Sequence, residues 1–71
     1  MKNIKQGKHE FGECIWTPAQ VAKILKVSVR TLGKWRHLRR GPKYLRLGRV
    51  VRYHSSDVEE WLSANTVEHE E

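Results

Sequence analysis

Two helix starts, Thr17-Pro18 and Ser28, stand eleven residues apart and constrain this chain more than any other feature. In Ile15-Trp16-Thr17-Pro18-Ala19-Gln20, Thr17 can cap, Pro18 suits the first helical position, and Gln20 sits where a capping box takes Glu or Gln. Trp16 and Val21 are placed to form a hydrophobic staple across that start. A first helix is expected from Pro18 to Leu25, with Val21, Ala22, Ile24 and Leu25 apolar. Lys26-Val27 leads to Ser28, which caps a second helix ending near Arg40, because Gly41 can take a left-handed cap and Pro42 cannot continue. Both segments are too short to hold as isolated helices. They must pack on each other across a tight connection. That is the helix-turn-helix pattern, here without the glycine such a turn often carries.

The second helix has two distinct sides. Val29, Leu32 and Trp35 recur at spacing three and are expected to face a small core. Arg30, Lys34 and His37 fall together on the helical wheel, roughly opposite Leu32. Arg30, Thr31 and Lys34 are placed to enter a DNA major groove, where arginine reads guanine bidentately and threonine touches a thymine methyl. Ser28 and the helix N-terminus suit a phosphate. Arg36 lies nearer the core side, with an ion pair to an acid such as Asp57 and a phosphate contact as its open roles. Gly33 in mid-helix costs ~1 kcal/mol relative to alanine. It signals either close packing on the first helix or close approach of a ligand backbone.

Charge supports the polyanion. The 71 residues carry a formal net charge of +6, and between Cys14 and Ser56 there is no Asp or Glu at all. Lys23, Lys26, Arg30, Lys34, Arg36, Arg39, Arg40, Lys43, Arg46, Arg49 and Arg52 all lie there, while acids crowd into Asp57 to Glu71. A solvated helix face would mix both signs. A single-sign middle suits a phosphate backbone, with Lys23, Lys26, Arg39, Arg40 and Lys43 as candidate backbone contacts.

Beyond Pro42 the sequence alternates around Gly48-Arg49, which predicts a β-hairpin from Lys43 to His54. A two-residue loop would pair Leu47 with Val50 and Leu45 with Arg52. A three-residue loop would pair Leu47 with Val51, Arg46 with Arg52 and Leu45 with Tyr53. The second register is favoured, because it gathers Leu45, Leu47, Val51 and Tyr53 on one face, with Tyr44 outward. It also sets Arg46 against Arg52, a repulsion better explained by an anionic partner than by stability. Arg46, Arg49 and Arg52 then resemble a wing. Ser56-Asp57-Val58-Glu59 reads as a capping box for a last helix from Asp57 to Ala64, burying Val58, Trp61 and Leu62. Residues 1–14 read as a flexible basic arm, 15–64 as the folded domain and 65–71 as an acidic tail.

Several functions are excluded. A chain of 71 residues buries only ~60% of the surface it exposes when unfolded, too little for an enclosed catalytic cavity. Cys14, His9, His37 and His54 have no partners at metal-ligand spacing, and no nucleophile stands at a recognisable distance from a base. No enzyme activity, metal, cofactor or small-molecule ligand is expected. No apolar run approaches the ~20 residues of a membrane span. Lys2, Lys5 and Lys8 precede no apolar segment, so no signal peptide is read and a cytoplasmic location is expected. RNA readers expose aromatic platforms, whereas Trp16, Trp35 and Trp61 occupy core positions of their own segments.

Taken together, Trp16-Thr17 to Leu25, Val27-Ser28-x-x-Thr31-Leu32-x-x-Trp35, Gly41-Pro42, Arg46-x-Gly48-x-x-Val51-Arg52-Tyr53 and Asp57-Val58-x-x-Trp61-Leu62 resemble the excisionase-type, MerR-like winged-helix DNA-binding domain. The resemblance covers Ile15 to Leu62. It implies an α+β fold, a small winged helix-turn-helix in the order helix, helix, β-hairpin, helix. Phage excisionases, AlpA-like regulators and MerR regulators share these motifs. The few residues after Leu62 cannot supply the long dimerisation helix and effector domain of MerR regulators. The resemblance therefore implies a recombination directionality factor that binds double-stranded DNA beside an attachment site, in adjacent copies. It would bend the DNA and guide a tyrosine integrase toward excision. A small AlpA-like transcription regulator of the same fold is the alternative.

Overall fold

The structure, a computed structural model, describes residues 14–68. The expected basic arm, apart from Cys14, and the last three residues of the acidic tail lie outside them. The described chain runs β1 (Ile15–Trp16), α1 (Pro18–Leu25), α2 (Val29–His37), β2 (Leu45–Leu47), β3 (Val50–His54) and α3 (Ser55–Ala64). This is the expected α+β winged helix-turn-helix, with one added strand.

The first helix starts as its sequence dictates. Thr17 Oγ1 accepts from the Gln20 N–H at 3.1 Å, and Gln20 Oε1 accepts from the Thr17 N–H at 2.9 Å. Such a box contributes about 1 kcal/mol. It ends on Lys26, whose φ of +59° is left-handed, and the Val27 N–H reaches back to the Ala22 carbonyl at 3.0 Å. Lysine thus does what glycine does in many such turns.

The end of α2 repeats the device and corrects the expected boundary. The helix stops at His37, and Arg39, not Gly41, supplies the left-handed residue with φ +62°. The Arg40 N–H reaches the Trp35 carbonyl at 2.7 Å and the Arg39 N–H reaches the Arg36 carbonyl at 3.1 Å. This is the Schellman pairing, which satisfies carbonyls that a helix end leaves open. Gly41 is also left-handed (φ +82°) but serves the next bend, where the chain folds against Trp35.

Ile15-Trp16, expected to lead only into a helix, also forms the third strand. The sheet is antiparallel in the order β1-β3-β2, with Ile15 opposite His54 and Trp16 opposite Tyr53. Cys14 extends the pairing, donating its N–H to Ser55 Oγ at 3.3 Å and accepting from the Ser55 N–H at 2.9 Å. Strand β3 runs into α3 without a loop. The helix therefore begins at Ser55, with His54 in the cap position and no side-chain cap bond, and not at the Ser56 capping box the sequence suggests. Its far end is closed by Asn65 Nδ2 on the Trp61 carbonyl at 2.8 Å and Thr66 Oγ1 on the Leu62 carbonyl at 2.9 Å.

The hairpin overturns the favoured register. Leu47 pairs with Val50, Arg46 with Val51 and Leu45 with Arg52, around the two-residue loop Gly48-Arg49. Backbone conformation decides this. A two-residue loop puts Gly48 at the first central position with φ +66°, as a type II′ turn requires. The three-residue loop would have put Val50 in the left-handed region, where a β-branched residue is strained. Arg46 and Arg52 accordingly sit on opposite faces of the hairpin. Leu47, 55% exposed, and Val50, 40% exposed, share the outer face with Arg52.

The core joins Val21 and Ala22 of α1, Leu32 of α2, Tyr53 of β3 and Val58 of α3, ringed by Trp16, Leu25, Val27, Trp35 and Val51. Full burial of an aliphatic side chain such as Leu32 contributes about 1.5–3 kcal/mol. The Trp35 and Trp61 rings meet at 5.2 Å and 42°, joining α2 to α3. Val29 and Leu62, both expected inside, are exposed. A step of three residues rotates about 60° short of a full turn, which carries Val29 off the core side that Leu32 occupies.

Candidate nucleic-acid interface

Helix α2 presents the face its periodicity predicts. Leu32 is fully buried, while Arg30, Lys34 and His37 are all exposed. Its first turn carries no acid, and Lys34, Arg36 and His37 occupy the last turn, where cations complement the helix dipole. Ser28 caps it: Ser28 Oγ accepts from the Thr31 N–H at 2.9 Å and donates to Thr31 Oγ1 at 2.9 Å. Both hydroxyls are engaged in the cap, so Thr31 is half-buried and Ser28 is tied to it.

The groove that matters opens between the C-terminal half of α2, the bend after it and β2. It encloses about 1000 Å³ and is lined by Gly33, Arg36, His37, Arg39, Arg40, Gly41, Pro42, Lys43, Tyr44 and Arg46. None of these is acidic. Arg39, Arg40, Lys43 and Arg46 are exposed there, so four guanidinium or ammonium groups face one cleft beside the exposed side of α2. An anionic strand entering it meets no negative side chain among the lining residues.

Arg36 makes contacts within the protein that the sequence did not suggest. Its Nη1 donates to the Tyr53 hydroxyl at 2.8 Å, and its guanidinium lies 5.8 Å from the centre of the Tyr44 ring. Arg46 approaches the same ring at 5.8 Å, a second cation–π contact. Tyr44, expected outward and away from Tyr53, instead shares the face of Tyr53, with their rings 6.2 Å apart. The signal for its contact with Arg46 was present, since Tyr44 and Arg46 are two apart in an extended segment and share a face.

The remaining expected positions separate clearly. Arg49 is exposed at the hairpin tip; Arg52 is half-buried on the outer face, with Nη1 on the Val51 carbonyl at 2.7 Å. Arg52 is thereby turned away from the groove that Arg46 lines. Lys23 and Lys26 are exposed on α1 and its turn, outside the groove. Gly33 resolves in an informative way: a Cβ there would meet Arg36 Nη2 at 3.6 Å and no atom of α1. Close packing on the first helix is not its role.

Among the described residues no group of three or more His, Cys, Asp or Glu could hold a metal ion. None of the described helices is long and apolar enough to cross a membrane. No curated relative matches the chain. Residues 17–66, from the Thr17 cap through α3, match the family described as a helix-turn-helix domain. With a capped second helix exposing Arg30, Lys34 and His37 above a cationic groove, this chain belongs to the helix-turn-helix domain family, whose members bind DNA sequence-specifically.

Proposed function

We propose that this protein is an architectural DNA-binding factor of the excisionase kind. Adjacent copies bind beside an attachment site, bend the duplex and direct a tyrosine integrase toward excision of a phage or mobile element. The observation that carries the reading is the acid-free groove, walled by the recognition helix on one side and the arginine hairpin on the other. The helix-turn-helix family includes excisionase- and AlpA-like proteins, which supports the assignment. Arg30, Thr31 and Lys34 read base edges in the major groove, and Arg39, Arg40, Lys43, Arg46 and Arg49 hold phosphates. Bending a short site costs on the order of 1–6 kcal/mol. Contacts from two elements set side by side along one strand offset it.

The test is binding to the attachment region of the source element. Gel shifts should give stepwise complexes, each with altered mobility as the bend moves along the fragment, and excision in vitro should require the protein. Normal excision without it refutes the role. Binding confined to a promoter, with no attachment site bound, assigns the AlpA-like regulator instead. At the residue level, Arg30→Ala or Lys34→Ala should relax sequence preference, whereas Arg49→Ala should weaken all duplexes and lower the salt slope by about 1.

A further inference from the structure

We propose that Arg36 is a positioning residue, which locks the hairpin to the recognition helix through two tyrosines and leaves phosphate contact to its neighbours. The inference rests on the DNA-binding reading above. It begins with packing. Helix α2 packs chiefly on α1, whereas β3 packs on β1, β2, α1 and α3. The helix that reads and the hairpin that grips thus share α1 as a support but have little direct backbone contact with each other. A side-chain brace between them sets the angle of the hairpin against the helix.

Arg36 stands four residues after the fully buried Leu32, hence on the inner side of α2. Its hydrogen bond to the Tyr53 hydroxyl joins positions 17 residues apart, and Tyr53 is only 1% exposed. A buried phenol needs a partner for its hydroxyl, and a charged donor makes the stronger bond. The same guanidinium lies over Tyr44, whose ring is 6.2 Å from that of Tyr53 and 5.8 Å from Arg46. Tyr53, Arg36, Tyr44 and Arg46 therefore form a continuous chain across the groove floor, from β3 to helix to β2. Without it the hairpin must be ordered as DNA binds, and that ordering weakens the complex.

A lost brace and a lost phosphate contact leave different signatures. Removing a phosphate contact lowers the slope of log affinity against log salt by about 0.9; removing a brace leaves the slope alone. The probes are a labelled duplex selected from a randomised pool and an unselected duplex. Affinities of the full chain are measured from about 50 to 200 mM salt, at a temperature where circular dichroism shows every variant folded. Tyr53→Phe keeps every charge, yet should weaken binding about three- to tenfold, the scale of ordering one or two interface side chains. Arg36→Ala should lose a similar factor with the slope unchanged, and Arg36→Lys, which keeps charge without the planar fork, should not restore it. The double variant Arg36→Ala/Tyr53→Phe should be no worse than Arg36→Ala. Backbone relaxation at Gly48 and Arg49 should show a more mobile hairpin in each, a change that loss of stability alone does not produce in a folded population.

A Tyr53→Phe variant with wild-type affinity, or an Arg36→Ala variant whose slope falls by about 0.9, overturns the brace. Should Tyr53→Phe fold poorly, Tyr44→Leu puts the same question from the exposed side, with the same expected loss and the same refuting result. If the wild-type chain shows no preference for the selected duplex and Arg49→Ala has no effect, the DNA-binding reading fails first and takes the brace with it.

Discussion

Lys26 and Arg39 offer a paired perturbation of stability, and at Arg39 stability and binding should move in opposite directions. Both are non-glycine residues held in the left-handed region, with φ +59° and +62°. An L-residue there carries roughly 1–2 kcal/mol of steric strain. Glycine relieves it but gains about 0.4–1 kcal/mol of freedom in the unfolded chain. The expected net gain for Lys26→Gly or Arg39→Gly is about 0.5–1 kcal/mol. For a domain of this size that raises Tm by about 2–8 °C. Removing a cation also relaxes the repulsion of a chain with net charge +6 and removes a favourable partner of the helix C-terminus. Alanine controls for both, since Lys26→Ala and Arg39→Ala lose the same charge and keep the Cβ strain. The quantity to measure is the difference in Tm between the glycine and alanine variants, by circular dichroism at matched ionic strength. Arg39 also lines the groove, so both Arg39 variants should bind duplex DNA more weakly, with the salt slope reduced by about 0.9. Equal melting temperatures for the glycine and alanine variants would refute the conformational argument. An unchanged salt slope would remove Arg39 from the proposed phosphate contacts.

Three further outcomes follow from packing. Gly41→Ala should destabilise by about 2 kcal/mol or more by thermal melting, because φ is +82° and the added Cβ would lie 3.0 Å from Trp35 Cε3 and 3.2 Å from Trp35 Cβ. Leu32→Ala empties a fully buried site and should cost about 2–5 kcal/mol, enough to leave a domain this small substantially unfolded at 37 °C in a denaturant or thermal titration. Gly33→Ala should do the reverse, raising stability by about 1 kcal/mol since its methyl makes only ordinary contact with Arg36, while weakening DNA binding in a parallel anisotropy titration.

The parts of the fold legible in the sequence are those fixed by local chemistry. Thr17, Pro18 and Gln20 announce the first helix, Ser28 the second, and the spacing of Arg30, Lys34 and His37 around Leu32 gives the exposed face of α2. Sorting hairpin residues by polarity misled, because Leu47 and Val50 lie on an open face that need not be apolar-free. Turn chemistry at Gly48 was the better guide to register. The short strand at Ile15-Trp16 depends on a partner nearly forty residues away, and no local pattern encodes that. The start of α3 moved for the same reason: pairing of Cys14 with Ser55 carries the strand directly into the helix. At the candidate site, Arg36 was legible as a residue on the inner side of its helix, but its partner was not. An acid such as Asp57 and a phosphate were its open partners; the half-buried guanidinium donates to the Tyr53 hydroxyl and lies over the Tyr44 ring.

Charge alone would leave the interface diffuse, since basic residues extend from Lys23 to Arg52. Backbone economics narrow it. Gly33 sits in a helix interior, where glycine is unfavourable by about 1 kcal/mol, and none of the described residues requires the space it leaves. Arg39 holds a left-handed conformation that glycine would occupy with less strain. Both line the same groove, with Arg36, His37, Arg40 and Arg46 around them. Gly33 is a departure from local preference that no described contact explains, of the kind that gathers at functional sites. It opens room for a close approach, and Arg39 keeps a cation where the strain would favour glycine. An anionic backbone lying in the groove would account for the room at Gly33 and for a cation, in place of glycine, at Arg39. The recognition helix and the hairpin are then the two walls of one site, rather than a reader with a separate handle.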